Sequence, residues 1–319
     1  MTPLSRTRRL RLARFGAFVL LAVGLGAGIA TFANSAVGPR DTPAAVAEEA
    51  ARGELTLPVI DAAALPWPSE GAAAVAVGDG EVLTPSDERH AMASVTKLIT
   101  ALMVLDERPL AVGEAGTEYH FVEKWNNSYE EYLARDQSAL PVPAGGILTE
   151  YQLLQGMLLG SACNYADILV TDIWGDNSAF ADAAGEFLAE HGLEEITVTE
   201  PTGFDPANTA TPSALIGLGR LALENAVIAE IVAQPEAELP GAGLVENTND
   251  LLADPGVLGI KTGTLEGSNL LSAKDVTVGD QTVRVFAVVL TQPDDEARFT
   301  ASRALYDGVA AQLGAAPKG

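Results

Sequence analysis

The chain has 319 residues, 48% of them hydrophobic, and a formal net charge of −24. That length and apolar content can bury the core of one large domain or two modest ones, and they exclude a wholly disordered chain. Residues 1–40 carry six arginines (Arg6, Arg8, Arg9, Arg11, Arg14 and Arg40) and no acid, whereas from residue 41 on 13 basic residues face 43 acidic ones. Phosphate binding depends on clustered Lys and Arg, so so acidic a body excludes nucleic acid as a partner.

At the N-terminus, five arginines precede Phe15–Ala33, a run of 19 uncharged, mostly apolar residues. This pattern predicts a signal peptide or an N-terminal membrane anchor over residues 1–36, with the body outside the cytoplasmic membrane, either anchored there or secreted. A Pro-, Ala- and charge-rich linker is expected over 37–59, followed by one folded domain over 60–319. The single cysteine, Cys163, permits no intramolecular disulfide, and with three histidines no metal site and no cofactor is expected.

Along the folded part, "AAAVAV", a Gly-Asp-Gly turn and "EVLT" predict a hairpin over 72–84. Apolar Leu98, Ala101, Leu102 and Leu105 recur at helical spacing and predict a helix over 94–106. Residues 113–146 are polar and aromatic with little periodicity, as expected of a lid or surface insertion. Thr149 and Gln152 form a capping-box pattern opening a helix that stops at Gly160, and a second helix resumes near residue 164. Thr211-Pro212 marks another helix start. The last third predicts three antiparallel strands, "GVLGIKTG", "SNLLSAKDVTV" and "TVRVFAVVLTQ", then a helix from Asp294 to about Leu313. Strands at both chain ends with helices between them predict an α+β fold built on one sheet.

Within this frame, Ser94 and Lys97 lie three apart, which puts both on one helix face. Serine attacks poorly unless a neighbouring base takes its proton, and lysine serves as that base only when burial or a second cation keeps it unprotonated. The pair alone also fits a serine cap beside a solvated lysine, since this composition yields about 0.2 such matches by chance. Lys261-Thr262-Gly263-Thr264, at a predicted strand end, is rarer, with about 0.04 chance matches. It offers a second cation, two hydroxyls for a substrate carboxylate, and a glycine that lets a ligand approach the backbone. Ser161-Ala162-Cys163 lies in the tight connection between two predicted helices.

In this order, Ser-x-x-Lys, a Ser-x-Asn variant and Lys-Thr-Gly resemble the penicillin-binding and serine β-lactamase superfamily. The flanking "MASVTKLITALMVLDE", "LTEYQLLQGMLLGSACNYA", "PTGFDPANTATPSAL" and "ENTNDLLADPGVLGIKTGTLEGSNLLSA" are similar to the low-molecular-mass D-alanyl-D-alanine carboxypeptidases, over roughly residues 60–312. The resemblance implies a β-lactamase/DD-peptidase-like fold with an antiparallel sheet of about five strands. It implies Ser94 as the acylated nucleophile, Lys97 as general base, Ser161 as proton relay and Lys261 as their electrostatic partner. It further implies an oxyanion hole from the N–H groups of Ser94 and Thr264, and a carboxylate site at Thr262, Gly263 and Thr264 with Arg298 nearby. The implied partners are peptidoglycan stem peptides ending in D-Ala-D-Ala, β-lactam antibiotics as covalent inhibitors, and the cytoplasmic membrane through the N-terminal run.

Two departures leave alternatives open. Cys163 stands where the pattern has asparagine, with Asn164 one residue later, which admits a catalytically impaired wall-sensing module. Glu200-Pro201-Thr202-Gly203-Phe204 begins like the water-activating segment of a class A β-lactamase but has Gly and Phe where Leu and Asn belong.

Overall fold

In chain order, the described residues, 57–314, of this computed structural model form β1 (Ala72–Val77), β2 (His90–Ala91), α1 (Thr96–Glu107), β3 (Glu118–His120), α2 (Asn126–Leu133) and β4 (Ile147–Thr149). They continue with α3 (Glu150–Leu158), α4 (Cys163–Ile173), α5 (Asn177–Glu190), β5 (Ile196–Thr197), β6 (Thr209–Ala210), α6 (Pro212–Glu224) and α7 (Ala226–Val232). The hairpin β7 (Glu236–Leu239) and β8 (Gly243–Glu246) precedes β9 (Val257–Thr264), β10 (Ser268–Val278), β11 (Gln281–Gln292) and α8 (Asp295–Gln312). The expected signal or anchor over 1–36 and the linker up to residue 56 lie outside the described residues.

The main sheet has the order β1-β11-β10-β9, so the first strand joins the last three and both chain ends build one antiparallel sheet. Four strands are present where about five were expected. The missing one is residues 81–84, which return only as a bridge between Leu83 and Val75. Pro85 has no N–H to extend the ladder, and the exposed Ser86-Asp87-Glu88 that follows has no apolar face to bury.

Side-chain alternation divides the core between the two faces of this sheet. Ala74, Leu271, Phe286 and Val288 pack with the helices α1, α3, α4 and α6. Ala73, Leu270, Val285 and Val289 pack with Phe299, Leu305, Tyr306 and Val309 of α8. Because β11 is central and covered on both sides, it reads as the unbroken apolar run "VFAVVL".

Local signals set several helix starts. The Thr149–Gln152 capping box opens α3, and Thr211 Oγ1 accepts from Ala214 N with Pro212 in the first turn of α6. Sequence reading does not anticipate α5, α7 or the β7–β8 hairpin, although Asp176 and Asn225 cap the two helices with side-chain oxygens. Helix α1 is buried from Thr96 to Leu105, as expected of a central core helix.

The 113–146 segment is tied down. Its β3 pairs with β4, and residues 138–142 form a strap against the start of α4. Asn164 Nδ2 donates to Leu140 O (2.7 Å), and Leu140 N donates back to Asn164 Oδ1 (3.1 Å). Cys163 N donates to Ser138 O, and Tyr165 Oη to Pro141 O. Asn164→Ala leaves both polar groups of Leu140 without these partners, so stability measured by urea unfolding is expected to fall by about 1–3 kcal/mol. Limited proteolysis should then cut first within 138–142.

Candidate active site

The start of α1 is built to hold a lysine out of water. Ser94 lies in a 3-10 turn, Ala93–Val95, so it does not cap the helix, and its side chain points along the same face as Lys97. Lys97 is fully buried. Its Nζ lies 2.8 Å from Ser94 Oγ and donates to Thr202 O at 2.6 Å and to Cys163 Sγ at 3.3 Å. A neutral amine has two N–H groups and one lone pair. In that form, with the carbonyl and the sulfur taking the two N–H groups, the amine would turn its lone pair to the serine hydroxyl, the arrangement a general base requires.

Cys163 is the first residue of α4, one step later than the connection where it was expected. Its sulfur touches Lys97 where the usual pattern would place an amide. Asn164 cannot replace it, because that side chain is committed to Leu140 on the opposite side. The amide is therefore absent from the site and not merely displaced. Ser161 precedes α4 at φ 59°, and Ala93 precedes Ser94 at φ 49°. A non-glycine residue in this region is strained by about 1–3 kcal/mol, and both of these lie beside candidate catalytic groups. Among the described residues, none is hydrogen-bonded to the Ser161 hydroxyl, so the structure does not join it to Lys97.

The edge strand β9 forms the opposite wall. Gly263 faces Ser94 so closely that a Cβ there would lie 2.8 Å from Met92 O and 3.0 Å from Ser94 N. Any larger residue would push β9 away from the Ser94 amide. Thr262 Oγ1 lies 2.6 Å from Thr248 Oγ1, a partner the sequence did not identify. Arg298, in the first turns of α8, is buried, with Nη1 donating to Thr264 Oγ1 (3.1 Å) and Gly263 O (3.3 Å). It is thus behind the Thr262–Thr264 edge and not on a surface helix face.

Lys261 is also buried, and among the described residues its Nζ has no hydrogen-bond partner. Burial first, then the nearby Lys97 and Arg298 charges, push its amine well below the usual lysine range. Lys97 on one wall and Lys261 and Arg298 on the other thus bring three basic side chains to one cleft of an otherwise acidic body, which suits an anionic group of a ligand. On α4, Asp167 accepts from Tyr132 Oη at 2.7 Å, and burial, with Glu200 adding to it, pushes its carboxyl up to about 6.

Glu200 is occupied. Its carboxylate accepts from Thr202 N and Oγ1, Gly203 N, Asp205 N and Asn208 Nδ2, at 2.6–3.4 Å. Five donors leave no free lone pair to activate a water, so the β-lactamase-like reading of this segment has no support in the geometry. Among the described residues, no group of His, Cys, Asp and Glu is placed to hold a metal ion.

A profile described as D-alanyl-D-alanine carboxypeptidase matches residues 64–294. The D-alanyl-D-alanine carboxypeptidase DacB2 of Mycobacterium tuberculosis is 31% identical over 196 residues, which span 58% of this chain and 62% of that protein. Among solved structures, a D-alanyl-D-alanine carboxypeptidase from Mycobacterium tuberculosis aligns with a TM-score of 0.66 at 25% identity, covering 80% of this chain and 96% of that one. The Streptomyces K15 DD-transpeptidase aligns with a TM-score of 0.65 at 22% identity, over 81% and 100% of the two chains. The second likeness is one of fold alone.

Lys261 generates a stability prediction. An amine whose proton affinity is lowered on folding makes the unfolded state the better proton binder, so its cost is full below the folded pKa and disappears as pH rises to the usual lysine value. Lys261→Met should therefore raise stability near pH 7 by about 1–4 kcal/mol, as when buried charges give way to apolar side chains. Thermal melts across pH should show the gain shrinking as pH approaches 10.5.

Proposed function

The chain belongs to the D-alanyl-D-alanine carboxypeptidase family, and on that premise we propose that it is a serine DD-peptidase that removes the terminal D-alanine from peptidoglycan stem peptides. The observation that carries the reading is the 2.8 Å contact between Ser94 Oγ and the buried Lys97 Nζ, facing the Lys261–Thr264 edge.

Lys97 takes the serine proton as Oγ attacks the carbonyl carbon of the penultimate D-alanine. The negative charge that develops on the carbonyl oxygen lies against the N–H groups of Ser94 and Thr264. Collapse breaks the C–N bond, and the proton passes from Lys97 to the leaving amine; the resemblance gives this relay to the Ser161 hydroxyl, which would have to turn toward Lys97 to serve. Water then hydrolyses the Ser94 ester and restores the enzyme. Thr262 and Thr264, backed by Arg298, bind the terminal carboxylate, and β-lactams acylate the same serine.

Placement outside the cytoplasmic membrane is supported by the arginine-flanked run Phe15–Ala33. That run lies outside the described residues, among which no helix is long and apolar enough to cross a membrane. One observation favours a second reading, transfer of the acyl group to an amine acceptor instead of water. This second reading rests on Cys163, whose sulfur accepts from Lys97 and whose thiol is a weaker donor than the amide of the Ser-x-Asn pattern.

Mass spectrometry of a synthetic peptide ending in D-Ala-D-Ala should show free D-alanine, and added glycine should reveal any transfer product. Ser94→Ala should abolish labelling by fluorescent penicillin, and Lys97→Ala should slow it roughly 10²- to 10⁴-fold. Wild-type protein that neither takes the label nor releases D-alanine would sink the reading.

A further inference from the structure

The loop 199–208 bears on the base through a backbone carbonyl and packs against the turn that carries Ser94. Lys97 donates to the carbonyl of Thr202, and the N–H of the same peptide group, that of Gly203, donates to Glu200 Oε1 at 2.6 Å. One peptide unit thus has an amine at its C=O end and a carboxylate at its N–H end. Hydrogen bonds in such a chain polarise one another, so an anion at the N–H makes the carbonyl a stronger acceptor for Lys97.

The peptide is held in place from several directions. Gly203 has φ 81°, and a Cβ there would lie 1.8 Å from Ala93 O, so the loop is seated against the residue preceding the nucleophile. Thr100 Oγ1 donates to Pro201 O, anchoring the preceding carbonyl to α1. Asn208, fully buried, donates to Glu200 Oε1 and to Thr96 Oγ1, while its own carbonyl accepts from Met92 N.

We propose that Glu200 is the positioning residue of the catalytic base, aligning and polarising Lys97 through the Thr202–Gly203 peptide. Its hydrogen bonds go to Thr202, Gly203, Asp205 and Asn208 and none to Ser94. The inference rests on Lys97 being the base of a serine DD-peptidase, and it gives Glu200 a task unrelated to water activation.

Glutamine at 200 removes the anion and turns an NH2 toward groups that themselves donate. Penicillin acylation by Glu200→Gln should slow by roughly 10- to 100-fold, the loss of one charge-assisted hydrogen bond. The diagnostic readout is the pH profile. Without the anion, Lys97 holds a proton less well, so the acid limb of the acylation rate should move to lower pH.

Asp167 on α4 also faces Lys97 and Glu200, the Cys163 thiol at the start of α4 touches Lys97, and Lys261 on β9 faces Lys97. The comparison is therefore repeated in an Asp167→Asn background, where the shift should persist. Glu200→Asp, which keeps the charge one methylene further away, should shift the limb less in the same direction. Thr199→Ala, which removes bonds to Asp205 and Asn208 but leaves the peptide relay, should lower the melting temperature without moving the limb.

An unshifted acid limb in both Glu200 variants, or a shift lost in the Asp167→Asn background, overturns the inference while leaving the serine–lysine reading intact. If wild type is not acylated at all, it is that reading which fails.

Discussion

The structure depends on keeping one amine dry. Lys97 stands in a helix buried on every side, and an amine without hydrogen bonds in such a place would cost several kcal/mol. Its partners come from three segments far apart in sequence: Ser94 in the turn before α1, Cys163 at the start of α4 and Thr202 in the loop before β6. Each segment is secured for that purpose. The strap from 138 to 142 fixes the start of α4, the glycine at 203 lets its loop touch Ala93, and the buried Asn208 joins that loop to α1.

The facing wall is organised around an opposite liability. Lys261 is buried without a hydrogen-bond partner among the described residues and beside other cations, a state that costs stability. It is tolerated because β9 is the edge strand of a sheet whose remaining strands are packed on both faces. Strain at Ala93 and Ser161 belongs to the same pattern, in which stable packing elsewhere supports unfavourable groups at the site.

Much of the fold was legible locally. The long strands β9, β10 and β11 follow from apolar runs separated by Gly-containing turns, and the starts of α3 and α6 follow from Thr caps. The hairpin β7–β8 was missed because "EAEL" and "GLVE" bury little and are too short for periodicity to register. The site was partly legible. Ser94, Lys97, Lys261 and Cys163 stand in recognisable motifs, whereas Thr248 and Glu200 act through a single hydroxyl and a backbone relay, for which no spacing rule exists. Glu200 was visible only as an acid ahead of a Thr-Gly turn, and its five donors appear only when the loop closes on itself.

By itself, the sequence determined the residue types available for chemistry, the strands and helix starts that carry them, and the concentration of basic charge near the N-terminus ahead of an acidic body. These are properties of neighbours along the chain, where periodicity and capping operate over a few residues. Only the tertiary structure decided which groups meet. It brought Cys163 Sγ, 66 positions from Lys97, into contact with the amine, turned Asn164 away to hold a strap, and placed Arg298 behind Thr264. Such pairings depend on how the sheet and helices pack, and local sequence does not encode the distance between segments a hundred residues apart.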